Sequence, residues 1–297
     1  MHGKEMANHV AVMVGDPAMD QVYRQELNAW LNAAQDLLGH LLVDVEAWAF
    51  QIVTSLNTTS GTATITLPED FDEAVHVRYN SDNTSLRAAH FLPNRDRSAL
   101  DTNLLYAATA AEPFYRLLGN TMVLHPTPTA TVTGGVELTY RRYPLPLTLD
   151  RELEGLTLSS DGNDGGTTIV DTALTQRDDF WNEAMVVITS GAYAGQRRIV
   201  SDFVASTDTL TVRNAFGGKI LSAVTFSLYD HSIIPQQHHV HLVNYAAAMA
   251  LQKLRRPQEA TAKMAEFAAG LDAIRQRYGA PIQHKMFDAE SDSKVNP

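Results

Sequence analysis

Sustained helical periodicity stands at the two ends of this chain, and the residues between are patterned as strands. Near the start, Met19, Tyr23, Leu27, Leu31, Ala34, Leu38 and Leu41 fall three or four apart, which places them on one helical stripe. Trp30 and Leu37 widen that stripe, and Asp16-Pro17 supplies an N-cap and a first-turn proline, so a helix is expected from about Pro17 to Leu42. The next long helical pattern begins only at Pro235. Leu242, Ala246, Met249 and Leu254 form one stripe, Pro257 restarts the chain, and Met264, Phe267, Leu271, Ile274 and Tyr278 form a second. Gly279 and Pro281 stop it. Both late helices are rich in alanine, which predicts a close αα-hairpin. An amphipathic helix must bury its stripe, so the two ends of the chain are expected to pack together and everything between them to form one long excursion.

That excursion is strand-like. Residues 43–56 and 62–67 are rich in β-branched and aromatic side chains around the turn NTTSG, a hairpin signal. Short runs follow at 74–79, 85–91, 113–118, 121–125 and 136–143, with a short helix expected at 93–104. Gly119-Asn120 is a two-residue turn suited to joining 113–118 to 121–125. From Glu152 to Asp230, Gly, Thr, Ser and Asp punctuate alternating runs about every ten residues, the mark of a small β-sandwich or barrel. The expected organisation is an α+β fold: a helical bundle made of the N-terminal helix and the C-terminal αα-hairpin, with β-hairpins and an inserted small all-β domain. In residues, the core is 1–149 with 233–280, the β module is 150–232, and 281–297 is a flexible polar tail.

Composition removes several classes of function. With 44% hydrophobic residues the 297-residue chain is no disordered polymer. A formal charge of −11, on a chain only 19% charged, repels nucleic acid and argues against sequence reading through phosphate contacts. The imbalance is uneven: residues 1–150 carry 9 basic and 17 acidic groups, 151–230 carry 6 and 11, and the remainder 8 and 6. The absence of cysteine excludes disulfides, thiolate metal sites and a cysteine nucleophile. The apolar run VAVMV at 10–14 is too short for a membrane span or a secretory signal, so the glycosylation triplets at Asn57 and Asn83 carry no weight, and the chain reads as made in the cytoplasm.

No catalytic constellation emerges. His238, His239 and His241 suggest zinc at first sight, but a helix points His239 away from the other two and no carboxylate stands at ligand spacing. The run Asp161 to Gly166 resembles part of a calcium loop, but the twelfth position is Thr172 rather than glutamate, so a glycine-rich turn is the better reading. Acidic clusters at Glu69, Asp70, Asp72 and Glu73, and at Asp178, Asp179 and Glu183, sit beside strands, where solvated turn residues are ordinary. The arginine pairs 141–142, 197–198 and 255–256 are scattered, which suits ion pairs or subunit contacts. No phosphate loop, dinucleotide fingerprint or nucleophile elbow is present. The expectation is a protein that is not an enzyme and takes no cofactor or metal.

The order of elements resembles the head-to-tail adaptor (connector) proteins of tailed bacteriophages. The residues that carry the resemblance are the early segment ELNAWLNAAQDLL, Trp48-Ala49-Phe50, ATITLPEDF at 63–71, EPFYRLLGNTMVLHPTPT at 112–129 and VELTYRRYPLPLT at 136–148, followed by the helix pair Pro235–Tyr278. ITSGAYAGQRRIVSDF at 188–203 is similar to a β module that recurs in phage structural proteins. The resemblance implies a structural virion protein at the neck: a homo-oligomeric ring, dodecameric by analogy, joining the portal protein to a tail or nozzle protein. DNA would pass through its lumen without sequence-specific binding. The C-terminal segment, with Tyr278, Lys285, Met286 and Phe287, would dock on the portal. Two other readings are weighed beside it. One is a tail-associated carbohydrate- or receptor-binding protein acting through Trp181 and Tyr193 of the β module. The other is a metal-dependent hydrolase using His238, His239 and His241.

Overall fold

Helix α2, Arg24–Val45, buries four residues of the stripe read from the sequence, Leu27, Leu31, Ala34 and Leu38, but it is Leu42 rather than Leu41 that is fully buried beyond them, and Tyr23 and Leu37 are exposed. In the computed structural model, which describes residues 1–45, 47–93 and 108–278, this helix starts seven residues later than expected. The reason lies in Asp16. Its carboxylate accepts from the backbone N–H groups of Asp20, Gln21 and Val22 at 2.8–3.0 Å, so it caps a turn instead of a helix. Met19 then takes a left-handed φ of 57°, which no continuing helix tolerates. The true start is marked by Glu26, whose side chain accepts from the Tyr23 N–H at 3.0 Å, half of a capping box.

A helix not expected from the sequence precedes it. In α1, Gly3–Val14, the residues Met6, Ala7, Val10, Ala11 and Val14 are buried on one face. His2 caps its start, and Gly15 ends it at φ 79°. There the N–H of Gly15 bonds Val12 O and that of Asp16 bonds Ala11 O, a Schellman motif. Helices α3, His239–Lys253, and α4, Pro257–Tyr278, form the anticipated antiparallel pair. Gly270 lets them approach, because a Cβ there would fall 2.2 Å from His241 Nδ1. The four helices share one apolar core with Phe50, Leu147 and Ile234. Each fully buried leucine or valine in it contributes about 1.5–3 kcal/mol.

The strands form three sheets. The first has the order β1 (Gln51–Thr58), β8 (Val132–Arg142), β3 (Phe71–Tyr79), β4 (Arg87–Ala88). The second has the order β2 (Thr64–Thr66), β7 (Thr121–His125), β6 (Phe114–Leu118), β5 (His90–Phe91). They face each other across a core of Leu67, Val77, Tyr79, Tyr115, Met122, Leu124, Val136, Leu138 and Tyr140. The hairpin β6–β7 closes through Gly119 at φ 58°, as Gly119-Asn120 predicts. The hairpin expected around NTTSG does not form. Strand β1 pairs with β8 (Leu56↔Val136) and β2 with β7 (Ile65↔Met122), in different sheets. The turn itself is stitched to a distant loop, since Ser60 Oγ donates to Thr129 O and Gly61 N to Pro128 O. Pairing with the long strand β8 sets Ile52 and Leu56 opposite Tyr140 and Val136, which a local hairpin could not offer.

The third sheet has six strands in the order β10 (Thr168–Val170), β13 (Thr209–Val212), β12 (Arg197–Val204), β11 (Met185–Ile188), β14 (Thr225–Tyr229), β9 (Leu153–Thr157). A bridge from Ser160, just past β9, to Val170 of β10 joins its two edges. A bulge between Val200 and Asp202 bends β12 as it passes from β11 to β13. Fifteen buried side chains, Trp181 and Phe203 among them, fill the interior. The expected fold class is therefore corrected. The chain is not a helical bundle with a small inserted β module. It is mixed and strand-rich, 29% helix and 29% strand, with 14 strands in three sheets among the described residues. Periodicity makes long helices conspicuous, whereas two- to five-residue strands leave only weak patterns. The short helix expected at 93–104 lies, beyond Pro93, outside the described residues, as do the tail and Lys285, Met286 and Phe287. Tyr278 is the last residue of α4.

Candidate functional site

Folding brings the two acidic runs, more than 100 positions apart, to one cleft. It has a volume of about 760 Å³ and lies between β1, the Leu67–Asp70 turn and the 177–183 and 201–202 segments of the six-stranded sheet region. Six carboxylates line it, from Glu69, Asp70, Asp178, Asp179, Glu183 and Asp202, against two guanidinium groups, from Arg151 and Arg177. Glu69 pairs with Arg177 at 2.5 Å. Asp70 accepts from the Tyr140 hydroxyl at 2.7 Å, and burial together with the Asp70 charge pushes that phenol well above its ordinary range. Glu183 is gripped by Arg142, at 2.8 Å, and by Arg213. The Arg142 and Glu183 side chains are only 8% and 15% exposed, so this is a buried interlock between β8 and the six-stranded sheet. Burial lowers the pKa of Arg142 and of Arg213 from the ordinary arginine range.

Among the described residues Asp178, Asp179 and Asp202 form no ion pair. Asp178 accepts from Ala205 N and Asp179 from the Asn182 side-chain amide. Burial, then the like charges of Asp179 and Asp178, raise the pKa of Asp202. The other half of the first acidic run points elsewhere, because Asp72 and Glu73 both pair with Arg141.

A second cluster ties the N-terminus to the strands. Gly3 N donates to Asp230 O at 2.8 Å, Lys4 pairs with Glu154, Arg24 with Glu152, and Arg197 with Glu5. The His2 ring stacks on Tyr229 at 3.9 Å. Asp230 is buried and receives Thr148 N–H at 2.7 Å, with Arg151 at 3.3 Å; burial pushes its pKa up to about 6 despite that arginine. Burial likewise lowers His231 to about 3 and His239 and His2 to about 4, leaving all three rings neutral.

The other residues singled out in the sequence separate into different neighbourhoods. His239 is fully buried, with Nε2 donating to Ile234 O at 2.8 Å. His238 stacks on His241, whose Nδ1 faces Gly270. No three His, Asp or Glu side chains converge on a metal position among the described residues. The Asp161–Gly166 run is a structural turn. Asp161 accepts from Ser222 N, Asn163 from Thr167 N, and Asp164 pairs with Lys219 at the surface. Trp181 is completely buried, its Nε1 donating to Gln176, and Tyr193 packs beside Phe216. Of the two aromatics that the carbohydrate-binding reading requires at the surface, Trp181 is thus core and Tyr193 is half-buried. Arg141, Arg142, Arg197 and Arg256 all make ion pairs, as scattered pairs of arginines suggested.

Large apolar side chains remain at the surface, notably Trp48 at 73% exposed, Val12 at 65% and Val53 at 60%. Among the described residues no helix is long and apolar enough to cross a membrane.

Comparison with known proteins gives one family. No curated protein matches. Among solved structures the chain is similar to one chain described as "Virion of native gene transfer agent (GTA) particle", at 14% identity and a TM-score of 0.25. That likeness covers 39% of this chain and 44% of the other, so this chain spans less than half of the chain it matches. The family model for SU10 adaptor protein matches residues 1–161, the stretch that holds α1, α2 and the two facing sheets. The chain belongs to the SU10 adaptor protein family.

Proposed function

We propose that this protein is a structural component of a phage-like virion that forms a ring between the portal vertex and the tail, with DNA passing through its lumen. The observation that carries the reading is membership of the adaptor family over more than half of the chain. Three physical features support it. The net charges of residues 1–150, 151–230 and 231–297 are −8, −5 and +2, which leaves an acidic body able to let a polyanion slide past. Trp48, Val12 and Val53 expose apolar surface that contact between subunits would cover. The ionisable groups of the cleft and the N-terminal cluster are for the most part engaged in ion pairs and hydrogen bonds that hold the fold.

In this reading the helical layer forms the ring wall, and the segment containing Tyr278, Lys285, Met286 and Phe287 docks on the portal. Electron microscopy of the purified protein alone and mixed with portal tests the ring; scattered monomers in both samples would overturn it. Portal capture by a chain ending at Gly279 tests the docking segment. Capture is expected to fall, and undiminished capture would remove the tail from the interface. The carbohydrate-binding alternative has no comparable support, because Trp181 is inside the fold.

A further inference from the structure

The cleft beside β1 has a property that its acidic lining alone does not explain. Strand β1 is the outermost strand of its sheet, and at eight residues it is the longest sheet edge among the described residues. Its sequence, Gln-Ile-Val-Thr-Ser-Leu-Asn-Thr, holds no charge and no proline, so it lacks the devices by which edges are ordinarily kept from pairing. Ile52, Thr54, Ser55 and Leu56 line the cleft. Successive side chains point to opposite faces of a sheet, so Ile52, Thr54 and Leu56 present one face to it, and Ser55, on the opposite face, brings the cleft onto the strand's edge. The free edge is about 27 Å long at ~3.4 Å per residue. Across from it stand Asp178, Asp179 and Asp202, which form no ion pair among the described residues.

We propose that this cleft is a docking groove in which an extended segment of another protein, bearing lysine or arginine at alternate positions, adds to β1 as a further strand. Main-chain bonds to β1 supply the affinity, and the carboxylates on one wall select the basic side chains that alternate toward them. The alternation follows from the geometry, because only every second side chain of an added strand faces that wall. The proposal rests on the assembly reading for the source of the segment, but its readout is peptide binding by the full chain, so either can fail without the other.

The test is a fluorescently tagged positional-scanning library of capped octapeptides titrated onto the full-length protein. Lysine or arginine is expected to bind at least tenfold more tightly than glutamate at alternate positions. N-methylation of alternate peptide amides is expected to abolish binding. Joint substitution Asp178→Asn, Asp179→Asn and Asp202→Asn is expected to weaken it roughly tenfold, as two or three exposed ion pairs would. Amide exchange on the unaltered chain gives a second readout, with the bound peptide slowing exchange within residues 51–58. Absence of a basic preference, equal binding of N-methylated peptides, or protection elsewhere but not at β1 would each overturn the proposal. So would a change in the mass of the free protein on the aspartate substitutions, which would make a second copy the occupant.

Discussion

Replacing Gly270 by alanine sets two effects of known size against each other. In the middle of a helix this change ordinarily stabilises by about 1 kcal/mol, because glycine loses more backbone freedom on folding. Here the new methyl would lie 2.2 Å from His241 Nδ1, 2.3 Å from Cε1 and 3.1 Å from Cγ. Contact with Cγ means that rotation of the ring about its outer bond is not enough, and the His238 ring stacked at 6.1 Å limits where the imidazole can go. Overpacking of this kind costs about 1–3 kcal/mol, so the net effect is a loss of about 1 kcal/mol. Once His241→Ala removes the ring, the clash disappears and Gly270→Ala becomes stabilising by about 1 kcal/mol. The coupling in the double-mutant cycle is then about 2 kcal/mol, well beyond the ~0.5 kcal/mol scatter of independent sites. Urea unfolding of the four proteins measures it, with thermal midpoints moving by roughly 2–4 °C in opposite directions. If Gly270→Ala alone raises stability, or if the two changes simply add, the close approach of α3 and α4 at this point is wrong.

Three further outcomes follow from the packing. Trp181→Ala empties the centre of the six-stranded sheet's core and should cost about 3–5 kcal/mol in urea unfolding, with Trp181→Phe much milder; equal effects would refute a core role. Arg142→Ala leaves Glu183 largely buried with Arg213 alone and should cost about 3 kcal/mol, whereas adding Glu183→Gln should restore part of the loss; a neutral Arg142→Ala would dissolve the interlock. Stability should fall as pH drops from about 6.5 toward 4. His2, His231 and His239 have folded pKa values of about 3–4, so the unfolded chain takes up protons first in that window. Asp230, pushed up to about 6, acts in the opposite direction between about 4 and 6, as do the raised carboxyls of Asp202 and Glu152, but the three histidines, joined by the lowered His241, outweigh them. Urea midpoints that stay level or rise between pH 6.5 and 4.5 would contradict this.

The parts of the fold visible in the sequence were those set by local spacing. Leu27 to Leu42 and the α3–α4 pair announced themselves by period, and Gly119-Asn120 by turn chemistry. Helix α1 is not expected because VAVMV is read only as too short for a membrane span or a secretory signal; the signal that marks it is Gly15 after Met6, Val10 and Val14 at helical spacing. Asp16 misled because the same side chain caps a helix or closes a turn, and only the left-handed Met19 decides between them. The pairing of β1 with β8 depends on residues some 80 positions away, and no local pattern encodes that choice. The cleft was invisible for the same reason, since each acidic run by itself looks like a solvated turn. Trp181 stands as a candidate platform for the carbohydrate-binding alternative because a sequence gives an aromatic's type and not its depth.

The contact of α1 with the far end of the chain has a consequence for synthesis. Arg256 donates to Val14 O across 242 positions, and the core around Met6 and Val10 is completed by Leu242, Ala246 and Ala250. A ribosome making this chain therefore releases its first helix long before the surfaces that cover it exist. The six-stranded sheet, whose pairings all fall within residues 153–229, can close while translation continues; the helical layer cannot. Any product cut short before α3 keeps its N-terminal apolar face uncovered and open to proteolysis or aggregation. Only chains translated through α4 acquire the finished helical layer, so a completeness check is built into the order in which the parts are made.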